Sequence, residues 1–79
     1  MTHTFDASDI VVVVNSTPGG RFFIESSAAR IVKRVKGQED TYVVRFPDAW
    51  QTYTRFVDPA AQDDPQAFVN RLNRETAPC

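Results

Sequence analysis

The side chains in this sequence that could do chemistry are few and far apart. The single histidine, His3, and the single cysteine, Cys79, stand at opposite ends of 79 residues. Nucleophilic catalysis needs a nucleophile, a base and an orienting group within hydrogen-bond reach, and neither residue has a partner at a suggestive spacing. A zinc site typically takes three or four protein ligands, so one His and one Cys fall short, and no metal or cofactor is expected. The adjacent acids Glu39-Asp40 and Asp63-Asp64 have the makeup of a turn and of a helix start. They lack the alternating acidic spacing of a calcium loop. Gly19-Gly20 is followed by Arg21-Phe22, where a phosphate-binding loop requires Lys and then Ser or Thr; a turn explains it better. No catalytic residue is assigned, and enzymatic activity is not expected.

Binding is what remains, and charge is its clearest signal. Net charge is −1 at neutral pH, too low for a general nucleic-acid coat, but it is spread unevenly. Residues 1–20 carry Asp6 and Asp9 and no base. Residues 21–55 hold seven bases against four acids, and residues 56–79 hold two bases against four acids. The basic middle is interleaved with aromatics, and the candidate binding residues are Arg30, Lys33, Arg34, Lys36, Arg45, Trp50, Tyr53 and Arg55. Such a mixture suits a nucleic-acid surface, where cations neutralise phosphates and rings stack on bases. It also suits a protein-docking surface, where charge steers the encounter and an aromatic or arginine cluster anchors it. The plain alternative is a solvated charged face over a core that uses most of the rings. Docking on another protein or protein complex is the favoured expectation. Small inhibitors of that kind, made by phages and mobile elements against CRISPR or restriction complexes, share this size and lack of motif. A homodimer built through an exposed strand edge is a third possibility.

The elements that must position these residues can be read in order. Ile10 to Val14 is a β-branched run bounded by polar residues, which predicts a strand over 10–15, covered on both faces and near the middle of a sheet. Asn15 to Gly20 gathers turn formers, and residues 21–26 follow as a second strand. Residues 27–36 read two ways. Ala28, Ile31, Val32 and Val35 mark the stripe of a short amphipathic helix, while β-branched content and a hairpin-like Gly37 to Asp40 favour a strand. The expectation leans to the strand. Residues 41–46 and 50–57 are further strands, separated by Pro47-Asp48. Asp64-Pro65 has the form of a helix cap and first turn, predicting a helix over 64–75 that packs through Phe68, Val69 and Leu72.

The span Ala29 to Asp48, with Arg30-Ile31-Val32, Val35-Lys36-Gly37 and Thr41 to Phe46, resembles the strand–loop–strand meander of SH3-like small barrels of the Tudor and KOW type. The likeness covers a quarter of the chain and is architectural. The expected fold is therefore α+β and β-dominated: an antiparallel sheet or meander of four to five strands, resembling the SH3-like barrels in its hairpin, with a C-terminal α-helix. Residues 1–79 are expected to form one domain whose ends, 1–8 and 76–79, fray. Hydrophobic residues at 42% suffice for one small core, since a chain this short buries only about 60–65% of its unfolded surface. One cysteine cannot staple a secreted fold. The run Ile10 to Val14 is too short for a signal segment or a membrane span. A cytoplasmic location and no membrane association are expected, which makes the Asn15-Ser16-Thr17 glycosylation pattern incidental.

Overall fold

The β-branched run is extended, as its composition requires. In the computed structural model of the chain, which describes residues 5–76, it forms the body of β1 (Ile10–Ser16). The chain turns through Thr17 to Arg21, with Gly20 at φ +87°, a left-handed conformation that an L side chain strains to adopt. It then runs the length of β2 (Phe22–Arg34), crosses a loop with Gly37 at φ +83°, and returns as β3 (Thr41–Arg45) and β4 (Thr52–Phe56). A single 3₁₀ turn, Pro59–Ala61, leads to the one helix among the described residues, α1 (Pro65–Thr76). The four strands form one antiparallel sheet in the order β1-β2-β3-β4. The fold is thus α+β and β-dominated, a curled half-barrel with a C-terminal helix.

The strand alternative for residues 27–36 is the one realised, and it joins residues 21–26 in a single 13-residue strand. That strand serves two partners: Phe22 to Arg30 pairs with β1, and Arg30 to Arg34 pairs with β3. Three register irregularities make this geometry possible. In each, β2 carries the extra residue: Glu25 opposite Val13–Val14, one of Ser27 and Ala28 opposite Val12, and Val32 opposite Val43–Val44. Bulges bend the strand that bears them and increase its twist, so three along one strand curl the sheet.

The sheet buries Val11, Val13, Ala29, Ile31, Tyr42, Val44 and Val57, with Phe5 and Phe46 packed against them. Phe5 meets Tyr42 edge-on at 5.7 Å between ring centroids, and the Ser8 amide donates to the Ile31 carbonyl at 2.8 Å. The start of the chain, expected to fray through residue 8, is therefore anchored from Phe5 on. Residues 1–4 and 77–79, with His3 and Cys79, lie outside the described residues.

Two expectations about packing are corrected. β1 is an edge strand rather than a central one. Its second face and edge are covered by the segment after β4, in which the Gln62 side chain takes the place of a neighbouring strand. The Val12 amide donates to Gln62 Oε1 at 2.8 Å, and Gln62 Nε2 donates to the Val12 carbonyl at 3.1 Å. The same amide also reaches the Asp58 carbonyl at 3.0 Å. Asn73 does likewise for Phe22 at the start of β2, accepting from its amide at 2.8 Å and donating to its carbonyl at 3.1 Å. Asp64 caps α1 as its sequence suggests, its carboxylate accepting from the Ala67 amide at 3.2 Å. Phe68 and Val69 are buried, but Leu72 is only half-buried. It lines an apolar groove of about 230 Å³ with Val14, Phe22, Phe56 and Phe68.

Candidate functional site

Strand alternation decides where the predicted binding residues go. Cross-strand partners share a face. Val44 pairs with Ile31 and Tyr53, and Tyr42 pairs with Arg55, which places Tyr53 and Arg55 on the core side. Arg45 pairs with Arg30 and Thr52, and Val43 with Lys33 and Thr54, which places Arg30, Lys33 and Arg45 on the outer side, where all three are exposed. Arg34 pairs with Tyr42 at the β2–β3 hairpin end of the core-side face, and Lys36 lies in the loop beyond it; both are exposed. Trp50 lies in the β3–β4 connection rather than in the strand predicted over 50–57, and is 81% exposed. The structure thus divides the eight candidates among four places.

The core-side pair is engaged. The Arg55 guanidinium donates from Nε to Glu25 Oε1 at 2.6 Å and from Nη1 to the Thr54 carbonyl at 2.9 Å. It also lies over the rings of Tyr53 and Phe46, 5.2 and 5.7 Å from their centroids, and those rings stack at 5.3 Å. Asn15 Nδ2 completes the cluster with a 3.1 Å bond to Glu25 Oε2. Partial burial alone raises the Glu25 carboxyl. The hydrogen bonds from Arg55 and Asn15, with the Arg55 charge, outweigh that and hold it below its ordinary value. Arg55 therefore ties β4 to the arch of β2, Tyr53 stacks on Phe46 beneath it, and neither is a free anchor. Glu25 and Phe46, which make this arrangement, are absent from the candidates read in the sequence. A lone half-buried Glu following Phe22, Phe23 and Ile24 is the signal that a half-buried cation faces it.

An open cleft of about 500 Å³ lies where β2 departs from β3. It is lined on one side by Ile24 to Ala28 and on the other by Phe46 to Ala49. Trp50 follows directly after this second wall. Antiparallel strands point alternate residues' backbone groups to opposite edges, so Ile24 presents its amide and carbonyl to the same edge as Phe22. Asn73 occupies those groups at Phe22, and among the described residues no side chain does so at Ile24. A second, smaller depression of about 380 Å³ adjoins the cleft across Phe46 and Pro47, and Arg30 and Arg45 line it with Ile10.

Arg55–Glu25 is the one ion pair among the described residues, so the outer cations have no carboxylate partners. No three of His, Cys, Asp and Glu among the described residues gather where they could hold one metal ion. No helix there is long and apolar enough to cross a membrane. Comparison with known proteins returns no match: no family model fits the chain, and no curated protein or solved structure is similar to it.

Proposed function

We propose that this domain is a non-enzymatic protein-binding module of the cytoplasm that docks on a larger partner, in the manner of a stand-alone inhibitor or modulator. The observation that carries this reading is Trp50. It is the chain's only tryptophan, it is 81% exposed, and it follows in sequence on Ala49, which lines an open cleft. A small domain needs its large apolar side chains for the core, and this one leaves the largest in water. Covering an indole of about 200 Å² contributes roughly 4 kcal/mol before the costs of association. Tryptophan in a desolvated pocket is a common dominant anchor of protein interfaces.

The arrangement of rings and cations favours a protein over a nucleic acid. A nucleic-acid platform needs both on one face. Here Tyr42 is buried in the core, Phe46 and Tyr53 are stacked on each other beneath Arg55, and the free cations point the other way. Phe56 is the outer-face aromatic, and it borders the groove against α1. A homodimer through β4, whose outer edge is the end of the sheet, is tested by the same purified protein.

The decisive experiment captures partners with tagged wild-type protein and with Trp50→Ala, and measures Trp50 fluorescence on adding the captured partner. The expected result is a stoichiometric protein partner lost in the variant and a blue shift of the indole emission as water is excluded. Recovery of nucleic acid alone, or a partner retained by Trp50→Ala with no spectral change, refutes the reading. Light scattering that gives a dimer closed over Trp50 replaces it.

A further inference from the structure

The β2–β3 ladder sets Arg30 directly opposite Arg45, and both line the same depression. Like charges directly opposite on a sheet destabilise it, so such a pair asks for a counter-charge. Within the described chain there is none. Arg30 reaches only the Ser8 carbonyl, at 3.4 Å, Arg45 has no polar partner, and no carboxylate lines the depression. Lys33, on the same outer face, is also unpaired. Ile10, 54% exposed, and Pro47 give the depression an apolar wall.

We propose that the Arg30–Arg45 pair binds carboxylates, and that through it the domain takes an acidic, extended segment of its protein partner beside the Trp50 anchor. The proposal rests on the protein-docking reading above and names the chemistry of the partner. Two planar guanidinium groups match carboxylates bidentately, and the apolar wall suits the side chains that alternate with acids in a peptide. Phe46 and Pro47 border both the depression and the cleft, so a segment crossing them reaches both sites. A polyphosphate track is a poorer fit. The Phe46 ring already stacks on Tyr53, and Asp48, next along the connection, opposes a continuous run of negative charge.

The test is a titration of the full-length, isotopically labelled chain with an acetylated hexaglutamate peptide, followed by nuclear magnetic resonance at low salt. A short oligothymidylate is titrated in parallel. Saturable shifts are expected at residues 28–31 and 43–47. Arg30→Gln and Arg45→Gln should each weaken peptide binding roughly three- to tenfold, and Lys36→Gln, at the hairpin end, by less than about twofold. Arg45→Gln should melt at or above the wild-type temperature, because it removes the like-charge pair, so its lost binding is not lost folding. Absence of saturable shifts on this face overturns the proposal, as does equal weakening by Lys36→Gln. Tighter binding of the oligothymidylate through the same arginines overturns it in favour of a nucleic-acid surface. If the peptide fails while Trp50-dependent capture of a partner persists, the acidic segment is wrong and the docking reading stands. If both fail, the docking reading goes too.

Discussion

Replacing Gln62 by Ala removes three hydrogen bonds at once: two to the Val12 backbone at 2.8 and 3.1 Å and one to the Asp58 carbonyl at 3.0 Å. A typical intramolecular hydrogen bond contributes about 1 kcal/mol net, and more when its loss leaves a buried group unpaired. The site is partly buried, so water reaches some of the freed groups, and the expected loss is about 2–3 kcal/mol. Native stability scales as roughly 0.05–0.15 kcal/mol per residue, so this is a large share of the total. It corresponds to a fall in melting temperature on the order of 10–20 °C for a domain of this size. The same count for Asn73→Ala gives two bonds to Phe22. Their loss is offset by about half a kcal/mol of helix propensity gained at position 73, leaving about 1–1.5 kcal/mol.

Urea denaturation followed by far-ultraviolet circular dichroism measures both variants. Tryptophan fluorescence does not serve here, because Trp50 is exposed before unfolding as well as after. Hydrogen exchange gives a local readout, since the Val12 amide should lose protection in Gln62→Ala and keep it in Asn73→Ala. If Gln62→Ala costs less than about 0.5 kcal/mol, the magnitude of an ordinary surface substitution, Gln62 is not standing in for a strand. The reverse ranking of the two variants would sink the bond-counting argument as well.

Three further outcomes are expected. Because the folded state holds the Glu25 carboxyl below its ordinary value near 4.5, its contribution is fully present above that value. It is lost as pH falls through the lowered one, so wild type should lose more stability on acidification than Glu25→Gln in parallel thermal melts. Phe68→Ala should cost about 3–5 kcal/mol and the half-buried Leu72→Ala about 1–2 kcal/mol, since the groove beside Leu72 already admits water; equal costs in chemical denaturation would place both in the core. Trp50→Ala should change stability by no more than about 0.5 kcal/mol, and a larger loss would show that the indole packs against its own domain.

The elements were legible where local signals agree with tertiary packing. Asp64-Pro65 announces α1 because a cap and a first-turn proline act within a few residues of each other. The β1 run is legible as a strand, but its place in the sheet is not. Val12 and Val14 look like residues covered by another strand, yet the cover comes from Gln62 and from side chains of α1, fifty and more residues away. Nothing in the spacing of Gln62 distinguishes a strand surrogate from a surface amide. Residues 27–36 are ambiguous for a related reason. Val32 fits the helical stripe because it is a bulge residue, exposed beside the buried Ile31, and a bulge breaks the alternation that identifies a strand.

Strand alternation itself explains why the candidate site is only partly legible in the sequence. Sequence places cations and rings side by side over residues 30–55, and proximity in sequence suggests one mixed surface. In a strand, however, neighbours point to opposite faces, so Arg45 faces outward and Phe46 turns to the core. Arg55, in the next strand after the exposed Arg45, turns inward to Glu25. Composition alone therefore overstated the number of free anchors. What it could not supply is the pairing of Arg30 with Arg45. That contact depends on the register of the β2–β3 hairpin, which the loop and the Val32 bulge set together. A hairpin lacking the bulge, with the same loop, would keep Lys33 opposite Val43 but set Ile31 opposite Arg45, so the two arginines would no longer pair. The arginine pair is thus a product of the irregularity that curls the sheet, and the cleft beside it opens where that curl carries β2 away from β3. The arginine pair and the curl of the sheet have one cause, so a substitution that removes the Val32 bulge should separate Arg30 from Arg45 as it flattens β2.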